Sequence, residues 1–454
     1  MTNMSSHLPF VETVQTSTLS NGVRVITESV DSVASASVGI WVATGSRDEE
    51  PEHRGIAHFL EHMLFKGTER RHSAKDIADE MDNVGGYLNA FTDKEYTCYY
   101  ARVLSGDVPL ALDLLSDMYR NSRFDPEETA RERKVILEEI KERDDDPDDL
   151  VHDLFAETLY PDHPLGRAVI GTVETVSALE PDHLRGYMAK RYGPGAVIVT
   201  AAGNCDHAQV ADLAERYLGD LRGRHEVIPA VRPVAAPGVV SNHVRPTEQV
   251  NFVIGASAFG VLDEERYALT VLNTVLGDSM GSRLFQEIRE KRGLGYTIGS
   301  YANMHREGGY FAVYGGTSPA TYVECMDTVR AELAKIREHG VSDAELARAR
   351  AQARSGLVMK QESMSARMSR IGASEIYYGR VVPLAEAREK MAAVTPDDVL
   401  SVARAVIPED PTQLNVTAIG PLKKKRVAAV RKSVSALTGA GITTTGGTKR
   451  SGGN

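Results

Sequence analysis

One order of elements occurs twice along the chain, and a sequence that repeats a strand-and-helix order must build two similar units. In the first block, apolar β-type stretches at 23–27 and 34–42 precede a helical pattern at 56–65 and a strand pair across 87–103. Helical stretches follow at 108–120 and 126–143, and an apolar strand at 196–202 closes the block. In the second block, a strand at 249–256 leads to a helix at 264–276 and a strand pair across 297–314. Long helical stretches occupy 320–339 and 343–377, and a strand at 414–419 closes it. Strand pairs segregated from long helices predict an α+β class: two duplicated α/β-sandwich domains, each a mainly antiparallel sheet with helices packed on one face.

The boundaries follow from composition. Residues 13–222 form the N-terminal domain and 247–421 the C-terminal one. Between them, 223–246 reads as a linker, because Pro229, Pro233, Pro237 and Pro246 interrupt any period. Residues 422–454 turn basic and then Gly/Thr/Ser-rich, a composition expected to be disordered. A length of 454 residues suits two hydrophobic cores better than one.

Charge and cysteine content narrow the function. A net charge of −11 argues against a nucleic-acid binder, despite the basic run at 423–426, which is expected to be a flexible solubilising tail. No apolar run approaches the roughly 18 residues of a membrane span, and no signal or transit segment is expected at the start. Cys98, Cys205 and Cys325 are odd in number and far apart, so neither a disulfide framework nor a cysteine metal site is expected, and a reducing cytoplasm fits best.

The chemistry concentrates in one helix. Ile56, Phe59, Leu60, Met63 and Leu64 recur at helical period and build one apolar stripe. His58, Glu61 and His62 fall opposite. Residues four apart on a helix lie about 5–6 Å apart at Cβ, so two imidazoles can converge on one zinc ion. Glu61 can reach the same space as a general base without being a ligand. A catalytic zinc usually takes a third protein ligand. The 126–143 helix offers Glu127, Glu128, Glu132, Glu138, Glu139 and Glu142, and spacing alone does not choose among them.

The segments HFLEHMLFKGT at 58–68, GGYLNAFT at 85–92 and RERKVILEEI at 131–140 resemble the pitrilysin/insulinase zinc metallopeptidases. The resemblance is to the branch of short, two-domain bacterial members and the mitochondrial processing peptidase β subunit, and it covers roughly 13–421. It implies a zinc endopeptidase that hydrolyses peptides or unfolded segments, with one Zn²⁺ per chain held by His58, His62 and Glu139. In the family, residues 63–138 would be the spacer that selects Glu139 over Glu138. Glu132 then matches a glutamate that orients a ligand or supports the base. IREKRGLGY at 288–296 matches an arginine-tyrosine pair, which gives Arg289 and Tyr296 roles at the scissile bond. Asn89, Ala90, Phe91 and Thr92 match a strand edge that binds substrate backbone.

Longer relatives carry four such domains. A two-domain chain is therefore expected to dimerise, with zinc of one protomer facing Arg289 and Tyr296 of the other. Both motifs survive in this chain, which favours a homodimer over a heterodimer with a related subunit. The alternative is a non-catalytic or peptide-binding subunit of the same fold. The acidic run at 144–149 carries a weaker expectation, a preference for substrates with Arg or Lys near the cleaved bond.

Overall fold

The computed structural model describes residues 12–422; the basic run and the tail lie outside them. The first half runs β1 (Val14–Thr18), β2 (Arg24–Ser29), β3 (Ser35–Val42), α1 (Ile56–Leu64), α2 (Ala74–Asp82), β4 (Tyr87–Thr92), β5 (Thr97–Leu104), α3 (Val108–Asn121), α4 (Pro126–Asp145), α5 (Pro147–Leu159), α6 (Val173–Ala178), α7 (Pro181–Arg191), β6 (Val197–Gly203) and α8 (His207–Leu218). The second half runs β7 (Val240–Val244), β8 (Val250–Ala258), α9 (Arg266–Leu276), a π-helical turn (Phe285–Glu290), β9 (Gly295–His305), β10 (Gly308–Thr317), α10 (Tyr322–His339), α11 (Asp343–Lys360), α12 (Met364–Tyr378), α13 (Leu384–Ala393), α14 (Pro396–Val406) and β11 (Asn415–Gly420).

The sheets repeat one topology. The first is ordered β1-β2-β6-β3-β5-β4 and the second β7-β11-β8-β10-β9. β2 pairs in parallel with β6, and β7 pairs in parallel with β11; the remaining neighbours are antiparallel. The expected linker is thereby corrected at its end. Val240–Val244 is an edge strand, the counterpart of β2, hidden from the sequence because it is short, half-exposed and bracketed by Pro237 and Pro246. Edge positions tolerate such surroundings where central strands do not.

Strand patterning shows how each sheet is covered. In β3, Val38, Ile40 and Val42 face one core with α1 and α3, while Trp41 faces a second with Ile26, Cys98 and Ile198. Both faces are buried. The first face is covered by helices of the same half, as the sequence predicts. The opposite face is covered by a helix from the other half. Met368 and Ile371 of α12 pack on the first sheet, and Leu150, Val151, Phe155 and Leu159 of α5 pack on Val253, Ala312 and Ile419 of the second. Fully burying each such side chain is worth about 1.5–3 kcal/mol.

Local signals let α12 make this crossing. The expected helical stretch at 343–377 breaks at residues 361–363, where Ser363 caps α12 by accepting from the amide of Ala366 at 3.3 Å. Gly372 then allows the helix backbone to lie against the Trp41 ring. Polar pairing fixes the register: fully buried Glu28 accepts from Arg367 and, at 3.0 Å, from Arg370. Breaking a buried pair of this kind typically costs about 3–5 kcal/mol.

Candidate metal centre

α1 has nine residues and two faces. Ile56, Phe59, Leu60, Met63 and Leu64 are fully buried in the first core, so the helix cannot roll without exposing them. His58, Glu61 and His62 therefore emerge on the other side, where α4 packs. α4 starts at Pro126, with the Asp125 carboxylate accepting from the amides of Glu127 at 2.8 Å and Glu128 at 3.2 Å. Ile136 and Ile140 anchor it in the core. Glu132 and Glu139, two turns apart, share the face that meets α1.

Ligand atoms of His58, His62 and Glu139 all lie within 4.8 Å of one another. Oε2 of Glu139 is 3.9 Å from His58 Nε2 and 3.7 Å from His62 Nε2. These separations are too long for hydrogen bonds. Bound zinc would draw these ligand atoms closer together than they stand here. Two imidazoles and a carboxylate suit zinc with a fourth position open. The residues fit the ion.

Neighbouring groups prepare the ligands. His62 Nδ1 lies 2.8 Å from Glu132 Oε1, and Lys66 Nζ lies 2.6 Å from Glu132 Oε2. A carboxylate at Nδ1 places the imidazole proton there and leaves the Nε2 lone pair facing Glu139. Burial alone would lower the His62 pKa, but the hydrogen bond to Glu132 and the charge of Glu139 raise it. His58 behaves oppositely: burial, helped by His62, pushes it down to about 4, which keeps the ring neutral. Among the described residues its buried Nδ1 has no hydrogen-bond partner.

Glu61 stands beside this trio. Its Oε2 accepts from Thr92 Oγ1 at 2.5 Å. Burial raises its pKa, opposed by Thr92 and His62, an environment suited to a carboxylate that must exchange a proton. Thr92 ends β4, which among the described residues is the edge strand of its sheet. Along that edge the Ala90 amide donates to Asn89 Oδ1 at 2.9 Å, and Phe91 packs edge-on against Trp41. The edge therefore runs past the metal cluster.

Arg289 and Tyr296 meet each other elsewhere. Arg289, in the π-helical turn, lies over the Tyr296 ring at 4.1 Å and the Phe285 ring at 4.8 Å. Tyr296 is 74% exposed. Among the described residues, no hydrogen bond, ion pair or ring contact joins either residue to the His58–His62–Glu139 cluster. The acidic run at 144–149 sits at the α4–α5 junction, where Asp146 caps α5 and Asp144 pairs with Arg143. Two contacts lay outside the sequence reading. Lys66 stands inside the quoted motif, one turn beyond His62, a spacing that could have marked it. The Thr92–Glu61 bond joins different elements and left no local signal.

Comparisons with known proteins agree with this geometry. Residues 24–173 match the family described as insulinase (peptidase family M16), and residues 178–353 match the peptidase M16 inactive domain. An uncharacterized zinc protease of Streptomyces coelicolor is 44% identical over 94% of this chain and 93% of its own length. The uncharacterized zinc protease YmxG of Bacillus subtilis is 39% identical, over 87% of this chain and 95% of its own. A protease structure from Helicobacter pylori shares the fold with a TM-score of 0.84 at 21% identity, covering 91% of this chain and all of that one. With two family models in tandem and relatives of 39–44% identity aligned over most of both chains, the chain belongs to the insulinase family of peptidases, M16.

Proposed function

We propose that this chain is a zinc-dependent endopeptidase that hydrolyses peptides or unfolded segments. The observation that carries the reading is the convergence of His58, His62 and Glu139 beside a carboxylate, Glu61, that is not among the ligands. When bound, zinc supplies Lewis-acid polarisation of a carbonyl and lowers the pKa of a water toward 7. Glu61 takes the proton of the attacking water and returns it to the leaving amine, while Thr92 holds the carboxylate in place. Glu132 and Lys66 keep the His62 ring turned toward the ion. The β4 edge at Asn89, Ala90, Phe91 and Thr92 receives the substrate as an added strand, and main-chain pairing tolerates varied side chains.

The test is Glu61→Gln. Stoichiometric zinc is expected to remain, while cleavage of a quenched fluorescent peptide falls by about 10²–10⁴-fold. Loss of zinc together with activity would overturn the roles given to this helix. Retained cleavage would overturn the role given to Glu61, whereas wild-type protein that binds zinc and peptide without cleaving would favour a non-catalytic, peptide-binding chain.

The separation of Arg289 and Tyr296 from the metal cluster supports completion of the site by a second copy. In a closed two-fold dimer, each zinc would face the partner's arginine-tyrosine pair, and the tyrosine hydroxyl would donate to the developing oxyanion. Mixed dimers of Glu61→Gln with Tyr296→Phe chains would regain one of two sites. Confirmed subunit exchange without recovery would sink the dimeric model. Among the described residues no helix is long and apolar enough to cross a membrane. The three cysteines are buried free thiols, which suits a reducing setting.

A further inference from the structure

The helix that carries the metal motif has nothing in its own sequence to cap it. Its N-cap is Gly55, at φ 91°, and its first turn holds no acidic residue. Helix starts leave four amides without partners, and a buried start must find acceptors. Here they come from Glu49, upstream in the chain. One carboxylate oxygen accepts from the Gly55 amide at 2.9 Å and the other from the Ala57 amide at 2.9 Å.

Glu49 is only 4% exposed and is itself held. Arg167 Nη1 donates to its backbone carbonyl at 3.2 Å, and Lys94 in the β4–β5 turn donates to the carbonyl of Arg167. On the far side, a Cβ at Gly55 would lie 2.7 Å from the Ile170 carbonyl, and one at Gly171 would lie 2.5 Å from the Arg54 carbonyl. The start of α1 is thus wedged between a carboxylate and a backbone wall. Burial pushes the Glu49 pKa up to about 8, while the two amides, Lys94 and Arg167 act in the opposite direction. Both oxygens accept, so the anion is the capping form, and the helix dipole favours it.

The apolar stripe keeps α1 from rolling, but its contacts are non-directional and supply no acceptors for the amides that mark the axial position of the helix start. The two amide bonds do hold that position. His58 follows Ala57 directly, and Glu61 and His62 ride on the same nine-residue helix. We infer that Glu49 is a positioning residue for the metal centre, a buried carboxylate clamp that sets where along its axis α1 presents His58 and His62 to Glu139. This rests on the zinc reading above.

The test uses the full chain with Glu49→Gln and Glu49→Asp, zinc affinity by chelator competition, and the visible spectrum of the cobalt-substituted protein. Glu49→Gln places an amide NH₂ against one of the two backbone donors. Zinc affinity should fall about 10–100-fold, the range seen when groups that orient metal ligands are removed. The cobalt bands should shift, and kcat should fall with KM little changed. Glu49→Asp keeps both acceptors on a shorter arm and should lie between Gln and wild type; it also serves if Glu49→Gln fails to fold. Asp206→Ala, which uncaps α8, should lower the melting temperature and leave zinc affinity and cobalt spectrum unchanged. Folded Glu49 variants with wild-type zinc affinity and cobalt spectrum would overturn the inference. A wild-type protein that binds no zinc would instead overturn the reading of the site.

Discussion

Adding a single methyl group at Gly372 should show how tightly the two halves are locked together. A Cβ there would lie 2.4 Å from Trp41 Cε2, 2.7 Å from Nε1 and 2.8 Å from Cδ2. Carbon atoms in good contact sit about 3.5–4.0 Å apart, so helix or ring must retreat by about 1 Å. Neither is free to do so. Trp41 Nε1 donates to Thr200 Oγ1 at 2.9 Å, and its ring packs on Phe91 and Tyr96. α12 is held by Arg367 and Arg370 on Glu28, and by Glu375 accepting from Arg24 at 2.9 Å. Overpacking typically costs about 1–3 kcal/mol, and Gly→Ala in a helix interior returns up to about 1 kcal/mol. The net expectation for Gly372→Ala is a loss of about 1–2 kcal/mol. On neighbouring α11, a Cβ at Gly356 would meet nothing within 4 Å, so Gly356→Ala should gain about 0.5–1 kcal/mol. Urea unfolding followed by fluorescence reads this contact directly, because Trp41 is the chain's single tryptophan. If Gly372→Ala raises the midpoint as Gly356→Ala does, α12 does not lie against the first sheet as described.

Three further outcomes are expected. Glu139→Ala should reduce zinc affinity sharply, while Glu138→Ala, at an exposed side chain paired with Lys141 at 2.5 Å, should leave it near wild type; the reverse result in a chelator titration would move the third ligand by one residue. Glu132→Gln should weaken zinc binding by about 10–100-fold through the His62 ring, and equal affinities would show that Glu132 orients nothing. Glu95 joins the halves by accepting from Tyr377 at 2.8 Å and from the Arg306 amide at 3.1 Å. Burial raises its pKa, but the His305 imidazole 3.6 Å away and the bonds from Tyr377 and Arg306 outweigh this and hold it at about 2. A depressed folded pKa gives stability that is present above the unfolded value near 4.5 and is lost as pH falls toward 2, a contribution of about 3 kcal/mol. The gap in unfolding free energy between wild type and Glu95→Gln should therefore narrow over that acid window, and a constant gap would contradict the assignment.

Much of the site was legible because it is local. His58, Glu61 and His62 lie on one short helix whose apolar stripe fixes their direction, and helical period alone puts Glu132 and Glu139 on one face. The partners that prepare these groups come from elsewhere in the chain. Thr92 reaches Glu61 from the sheet edge, Glu49 reaches the start of α1 across two short turns, and Glu132 meets His62 only because α4 packs on α1. No spacing rule links such pairs, since their separation along the chain is set by loops that carry no period.

The same division holds for the fold. Sequence alone determined the duplication, the strand-helix order and the inward face of α1, since these follow from periodicities of two and 3.6 residues and from proline-rich punctuation. The tertiary structure decided which sheet each helix covers. α5 belongs by sequence to the first half and packs on the second sheet, and α12 does the reverse. An apolar helix face is satisfied by any apolar sheet face it can reach. Here the Ser363 break directs α12 across, Gly372 leaves room for the Trp41 ring, and Glu28 offers its buried carboxylate to Arg367 and Arg370.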